Sequence, residues 1–117
     1  KENKQRCLAF IKKCNDGGEK VFLYGASTKG NTLLQYYGID SNMIHFASER
    51  SPEKWGKYTI GSGLKIISEK AARKLNPKYF FVMPYSFIKE FILREKKWLK
   101  KGGKFILPYP KFKVLKN

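Results

Sequence analysis

The chain has 117 residues, with 25 lysines and arginines against nine aspartates and glutamates, for a formal charge of +16. Its length suits one domain that buries about two-thirds of its unfolded surface without a disulfide or metal staple, and 42% hydrophobic content excludes a disordered chain. No apolar run approaches the roughly 18 residues of a membrane span, and the segment before Val21 is too polar for a signal peptide, so a cytoplasmic domain without membrane contact is expected.

In chain order, Cys7, Leu8, Phe10, Ile11 and Cys14 recur at about 3.6 residues, which predicts a helix over 4–14, ended by Asn15-Asp16-Gly17-Gly18. There Cys7 and Cys14 share a face about 10 Å apart, too far to bridge. They read as small core residues in a reducing compartment. Lys20–Tyr24 predicts a strand, followed by a glycine turn and a helix from about Gly30 to Tyr37 that stops at Gly38. Met43–Ala47 predicts a second strand, with His45 in its middle. Residues 49–63 are polar and glycine-containing, and predict a long loop of the kind that is usually functional or disordered. Leu64–Ile67 is a short extended piece, and Ser68 caps a helix through Leu75 that Asn76-Pro77 ends. Tyr79–Met83 is an unbroken apolar strand, as in a sheet buried on both faces. Ser86 is a candidate cap for a helix to about Lys100, closed by Gly102-Gly103. Lys104–Leu107 and a final Val114-Leu115 edge piece complete the elements.

Strands that alternate with helices predict an α/β fold with a central parallel sheet. Ligands of such sheets bind beyond the carboxyl ends of the strands. Those ends are Gly25–Asn31, Ser48–Arg50, Pro84–Ser86 and Pro108–Pro110, which should form one rim. The charge invites a nucleic-acid partner. The basic residues, however, are mostly lysine and occur in nearly every segment rather than in one stripe. Nucleic acid is therefore not the expected partner, and a basic nucleic-acid-binding module stands as an alternative.

Tyr24-Gly25-Ala26-Ser27-Thr28-Lys29-Gly30-Asn31-Thr32 is the most informative stretch. A strand, glycine turn and helix start offer unpaired N–H groups and a positive dipole end, which suit a phosphate. Against the dinucleotide pattern G-x-G-x-x-G, Gly25 and Gly30 fit the first and third glycines and Ser27 replaces the second. Glu49 falls about where the ribose-binding acid of a dinucleotide site comes, roughly 20 residues on. A small NAD- or nucleotide-binding domain is thus a second alternative. Against the P-loop pattern, Asn31 stands where the phosphate-binding lysine belongs and Lys29 comes two positions early, which argues against an ATPase. With one histidine, no paired acids and no nucleophile elbow, the chain has no complete catalytic set.

Residues 24–34, Tyr-Gly-Ala-Ser-Thr-Lys-Gly-Asn-Thr-Leu-Leu, resemble the signature of the C-terminal domain of the sugar C-methyltransferases, S-adenosylmethionine-dependent enzymes acting on nucleotide-linked deoxysugars. Glu49-Arg50-Ser51-Pro52-Glu53-Lys54-Trp55-Gly56-Lys57-Tyr58, Pro84-Tyr85-Ser86-Phe87 and the stretch 102–110 are similar to further family motifs, in the same order. Glu49, Ser51, Ile60, Lys65 and Tyr85 depart from the family's usual residues. The resemblance implies a Rossmann-like three-layer sandwich with a mainly parallel sheet, spanning 1–117 as the last domain of a longer polypeptide. It further implies a zinc-binding N-terminal module and a middle domain that binds S-adenosylmethionine and carries the catalytic residues. Both would lie outside this chain, which begins at Lys1 as a piece of something longer would, so no methyl transfer is expected from it alone. The expected partners are that remaining polypeptide and a nucleotide-sugar. Gly25, Ser27, Thr28, Lys29 and Gly30 are the expected pyrophosphate contacts. Asn31, Arg50, Lys57, Tyr58 and Tyr85 are the expected nucleotide or sugar contacts.

Overall fold

The computed structural model describes residues 2–82, 88–108 and 111–116. The expectations placed on Pro84-Tyr85-Ser86-Phe87 and on Tyr109-Pro110 lie outside the described residues. In chain order the elements are α1 (Glu2–Asp16), β1 (Val21–Tyr24), α2 (Thr28–Tyr37), β2 (Phe46–Glu49), β3 (Lys65–Ser68), α3 (Glu69–Lys74), β4 (Tyr79–Val82), α4 (Ile88–Arg94), α5 (Lys96–Lys100), β5 (Lys104–Leu107) and β6 (Lys113–Leu115). The strands form one mixed sheet in the order β3-β2-β1-β4-β5-β6. Every neighbouring pair is parallel except β5 with the edge strand β6.

Side chains alternate between the two faces of a strand, and the apolar residues divide accordingly. Val21, Leu23, Tyr79, Phe81 and Ile106 pack with Cys7, Ile11 and Cys14 of α1 and with Leu34 and Tyr37 of α2. Phe22, Tyr24, Phe80, Phe105 and Leu107 pack with Ala72 of α3 and Leu99 of α5. All four residues of β1 and of β4 are buried, because both faces of these central strands are covered. Cys7 and Cys14 are free thiols in this core, and burial pushes the Cys7 thiol up to about 12.

Three predicted elements differ from the structure. β2 runs from Phe46 to Glu49, not from Met43 to Ala47. Asp40 captures the preceding residues: its side chain accepts the Asn42 N–H, and its carbonyl accepts those of Met43 and Ile44. That local turn chemistry outcompetes the strand, and it leaves His45 exposed before β2 rather than within it. Among the described residues, the helix predicted to reach Lys100 is two helices that meet at Glu95. The Glu95 side chain is buried, accepts the Tyr24 hydroxyl at 2.7 Å, and pairs with the Arg73 guanidinium. Third, the predicted long loop is largely ordered, as its role at the site makes clear. Downstream, a Cβ on Gly103 would lie 2.2 Å from the Trp98 ring, so only glycine admits that ring where its Nε1 donates to Pro77 O at 3.0 Å. Among the described residues, no helix is long and apolar enough to cross a membrane.

Candidate functional site

β1 delivers the chain to Gly25, whose φ of 86° is a conformation that residues with a Cβ rarely adopt. The turn is pinned by Gly25 N–H, which donates to Ser48 O at 2.7 Å. Ser27 then caps α2: its Oγ accepts the Gly30 N–H at 3.0 Å and its carbonyl accepts the Asn31 N–H at 3.0 Å. The N–H groups of Thr28 and Lys29 take no protein acceptor among the described residues. The turn thus presents a positive helix end beyond the carboxyl end of β1, next to the place where the strand order reverses between β1 and β4.

β2 ends at Glu49, which joins the turn to the segment that follows. Its Oε1 accepts the Ala26 N–H at 2.8 Å and its Oε2 the Ser51 N–H at 3.1 Å. Its backbone carbonyl accepts the Trp55 Nε1 at 2.8 Å. Burial pushes the Glu49 carboxyl up, but the Ala26 and Ser51 amides and the Lys54 charge outweigh it and hold the group below its ordinary value. Pro52–Lys54 forms a 3₁₀ turn and returns Lys54 Nζ to within 3.3 Å of Ala26 O.

The remainder of the predicted loop is a small hydrogen-bonded excursion. Gly56 N–H donates to Ile66 O, Ile66 N–H to Lys57 O, and Thr59 N–H to Leu64 O, each at 2.8 Å. Tyr58 and Lys65 form an antiparallel bridge. Asn31 straps this excursion to α2: its Nδ2 donates to Ile60 O at 2.8 Å, and its Oδ1 accepts the Ser62 hydroxyl at 2.5 Å. Gln35 Nε2 adds a second bond to Ile60 O at 2.9 Å, and Thr59 and Ser62 share a hydroxyl–hydroxyl bond at 2.7 Å.

These contacts enclose a cleft of about 290 Å³, lined by Ala26, Ser27, Thr28, Asn31, Lys54, Lys57, Tyr58, Thr59, Ile60 and Ile66. Of the residues expected from the sequence, Ser27, Thr28, Asn31, Lys57 and Tyr58 come together there. Gly25 and Gly30 shape the turn behind it. Lys29 lies instead on the outer face of α2 with Thr32, Leu33 and Tyr36. Arg50 is exposed and does not line the cleft. Tyr85 lies outside the described residues. Asn31 acts as a strap, both of its side-chain polar atoms being engaged within the protein. Lys54, Thr59 and Ile60 were not among the expected contacts. Lys54 was legible as the lysine of the family-like stretch 49–58 but was not expected as a contact, and it gains its place through the 3₁₀ turn that Pro52 starts. A roomier hollow of about 590 Å³ beside Arg73, Arg94 and Trp98 is a weaker candidate, because both arginines are paired, with Glu95 and Glu69.

Two cations, a hydroxyl, helix-end N–H groups without a protein acceptor among the described residues and an exposed tyrosine ring are groups whose chemistry would suit an anion joined to a ring. No nucleophile–base pair accompanies them among the described lining residues. No group of three or more His, Cys, Asp or Glu residues close enough to hold a metal occurs among the described residues.

Comparison with known proteins agrees in one direction. The family profile of the C-methyltransferase C-terminal domain matches residues 1–110. The chain is 37% identical over 98 residues to the C-methyltransferase NovU of Streptomyces niveus, an alignment covering 84% of this chain and 23% of that protein. The chain thus spans about a quarter of that relative's length. With the family profile covering nearly its whole length, the chain belongs to the C-methyltransferase C-terminal domains, a part of a family of transferases.

Proposed function

We propose that this domain holds the nucleotide-sugar substrate of an S-adenosylmethionine-dependent sugar C-methyltransferase, and that methyl transfer takes place elsewhere in a longer cytoplasmic polypeptide. The observation that carries this reading is the cleft itself, where Lys54 and Lys57 flank the start of α2 and Tyr58 stands 61% exposed beside them. A diphosphate between the lysines and the Ser27 hydroxyl would neutralise both cations, and the Tyr58 ring would stack on the base or sugar. The strand order 3-2-1-4-5-6, with apolar clusters made by opposite helix sets, supports a Rossmann-like, three-layer reading of the fold.

S-adenosylmethionine supplies the methyl group when bound. On this reading the chain carries neither its site nor a site for NAD. The carboxylate that would hold an adenosine ribose is Glu49, and each of its oxygens already accepts a backbone N–H. On the family resemblance, the cofactor is assigned to a preceding middle domain and zinc to an N-terminal module. The part described here positions substrate and has no transferase activity alone.

Titration calorimetry of this chain with dTDP, a dTDP-deoxysugar, NAD, S-adenosylmethionine and duplex DNA tests the reading. Saturable binding of the dTDP ligands, with none of the other three, is the expected result. NAD binding without dTDP binding would sink it. Steeply salt-dependent DNA binding in place of dTDP binding would favour a nucleic-acid module.

A further inference from the structure

Three N–H groups of the glycine turn already have acceptors within the protein. Gly25 N–H is taken by Ser48 O, Gly30 N–H by Ser27 Oγ, and Ala26 N–H by the Glu49 carboxylate at 2.8 Å. In turns that bind dinucleotides, the backbone at the second glycine, the position Ser27 holds here, approaches the pyrophosphate. Here an anion from the protein's own β2 sits on the neighbouring amide, at Ala26. The same carboxylate holds Ser51 N–H with its other oxygen at 3.1 Å. The Glu49 carbonyl holds the Trp55 indole, and Lys54 reaches back to Ala26 O. One residue therefore both fills the turn with negative charge and fixes the segment that carries Lys54, Lys57 and Tyr58.

We infer that Glu49 is a specificity-determining and positioning residue of this cleft. It sets a negative charge beside the backbone that a dinucleotide pyrophosphate would approach and fixes the Lys54–Tyr58 wall, so that a phosphate-bearing ligand is met by lysine side chains. A glutamate at the end of β2 has here turned away from the ribose role its position suggests and toward the backbone. The inference rests on the phosphate-binding reading of the cleft given above.

Amide ¹H–¹⁵N spectra of the chain titrated with inorganic pyrophosphate read the turn directly. In the unaltered chain the Ala26 amide moves less than those of Thr28 and Lys29. In Glu49→Ala, and in Glu49→Gln, which retains the side-chain volume, the Ala26 shift is larger. Calorimetry on the same proteins gives measurable NAD binding in Glu49→Ala, against none in the unaltered chain, and a dTDP affinity at least tenfold weaker, with Glu49→Asp restoring most of the dTDP affinity. An Ala26 shift as large in the unaltered chain as in Glu49→Ala overturns the inference. So do variants that leave the Ala26 response and both affinities unchanged. Failure of the unaltered chain to bind dTDP removes the nucleotide-sugar reading alone, because the Ala26 response to pyrophosphate needs no nucleotide.

Discussion

Lys54 and Arg50 sit four residues apart and have opposite standing at the cleft. Lys54 lines it and touches the turn, whereas Arg50 points to solvent. Lys54→Ala is expected to weaken dTDP binding by roughly tenfold, the effect of losing one charge-assisted hydrogen bond. Arg50→Ala should leave it within about twofold, and calorimetry separates the two. The guanidinium fork makes arginine the better phosphate ligand in principle. Placement overrides this, because Glu49 turns inward at the end of β2 and its neighbour faces out. The placement of Ser27 and Thr28 was legible from the sequence, since a serine before a helix start caps it with its own side chain, three residues away, and needs no distant partner. Glu49 also sets a pH dependence. Its folded-state value lies below the ordinary 4.5, so its contribution to stability is fully present above that pH. It is lost as pH falls through the depressed value. The stability difference between the unaltered chain and Glu49→Gln should therefore be constant near neutrality and shrink below pH 4.5 in urea titrations at stepped pH.

At the scale of elements, the junction of α4 and α5 is tied to β1 by one buried carboxylate. Glu95 receives the Tyr24 hydroxyl and the Arg73 guanidinium, and the neighbouring Arg94 pairs with Glu69 at 2.7 Å. Burial, then the Glu95 carboxylate, push the Tyr24 phenol well above its ordinary range, so it stays a donor. Tyr24→Phe removes one partner from a buried acid and should destabilise the domain by about 1–3 kcal/mol. Glu95→Ala should destabilise it by about 3 kcal/mol, the low end for a broken buried pair because Arg73 remains partly hydrated. Equilibrium denaturation in urea reads both. The apolar stripe of Phe91, Ile92, Trp98 and Leu99 predicts a helix on either side of Glu95. It says nothing of a break, because the partners that draw Glu95 inward come from β1 and α3. The same limit applied to residues 49–63, whose bonds run to Asn31, Gln35 and β3.

For the whole molecule, the +16 is a net excess that no acid in the chain offsets. Three ion pairs occur among the described residues, against 25 lysines and arginines in the chain. The domain measures 35 × 32 × 29 Å, and the screening length at 0.01 M salt is about 30 Å, so every lysine repels nearly every other. At about 0.15 M that length falls to about 8 Å. The melting temperature is therefore expected to rise by several degrees between these conditions in a calorimetric scan. A flat or falling melting temperature would mean that the charges are locally balanced. This expectation follows from the lysines' even spread along the sequence, which differs from the single stripe that would track a nucleic-acid backbone.

Periodicity, caps and glycines by themselves determined the existence of β1, β4 and β5, the helices between them and the cap at Ser27, because those signals act within a few residues of chain. They also carried the family, because ordered motifs survive as sequence. Only the tertiary structure decided the strand order and the break at Glu95. It alone decided which cations face the cleft and that Glu49 is spent on backbone amides. Each of those depends on hydrogen bonds between residues far apart in the chain, and the energy of such a bond is set by a partner that local pattern does not name.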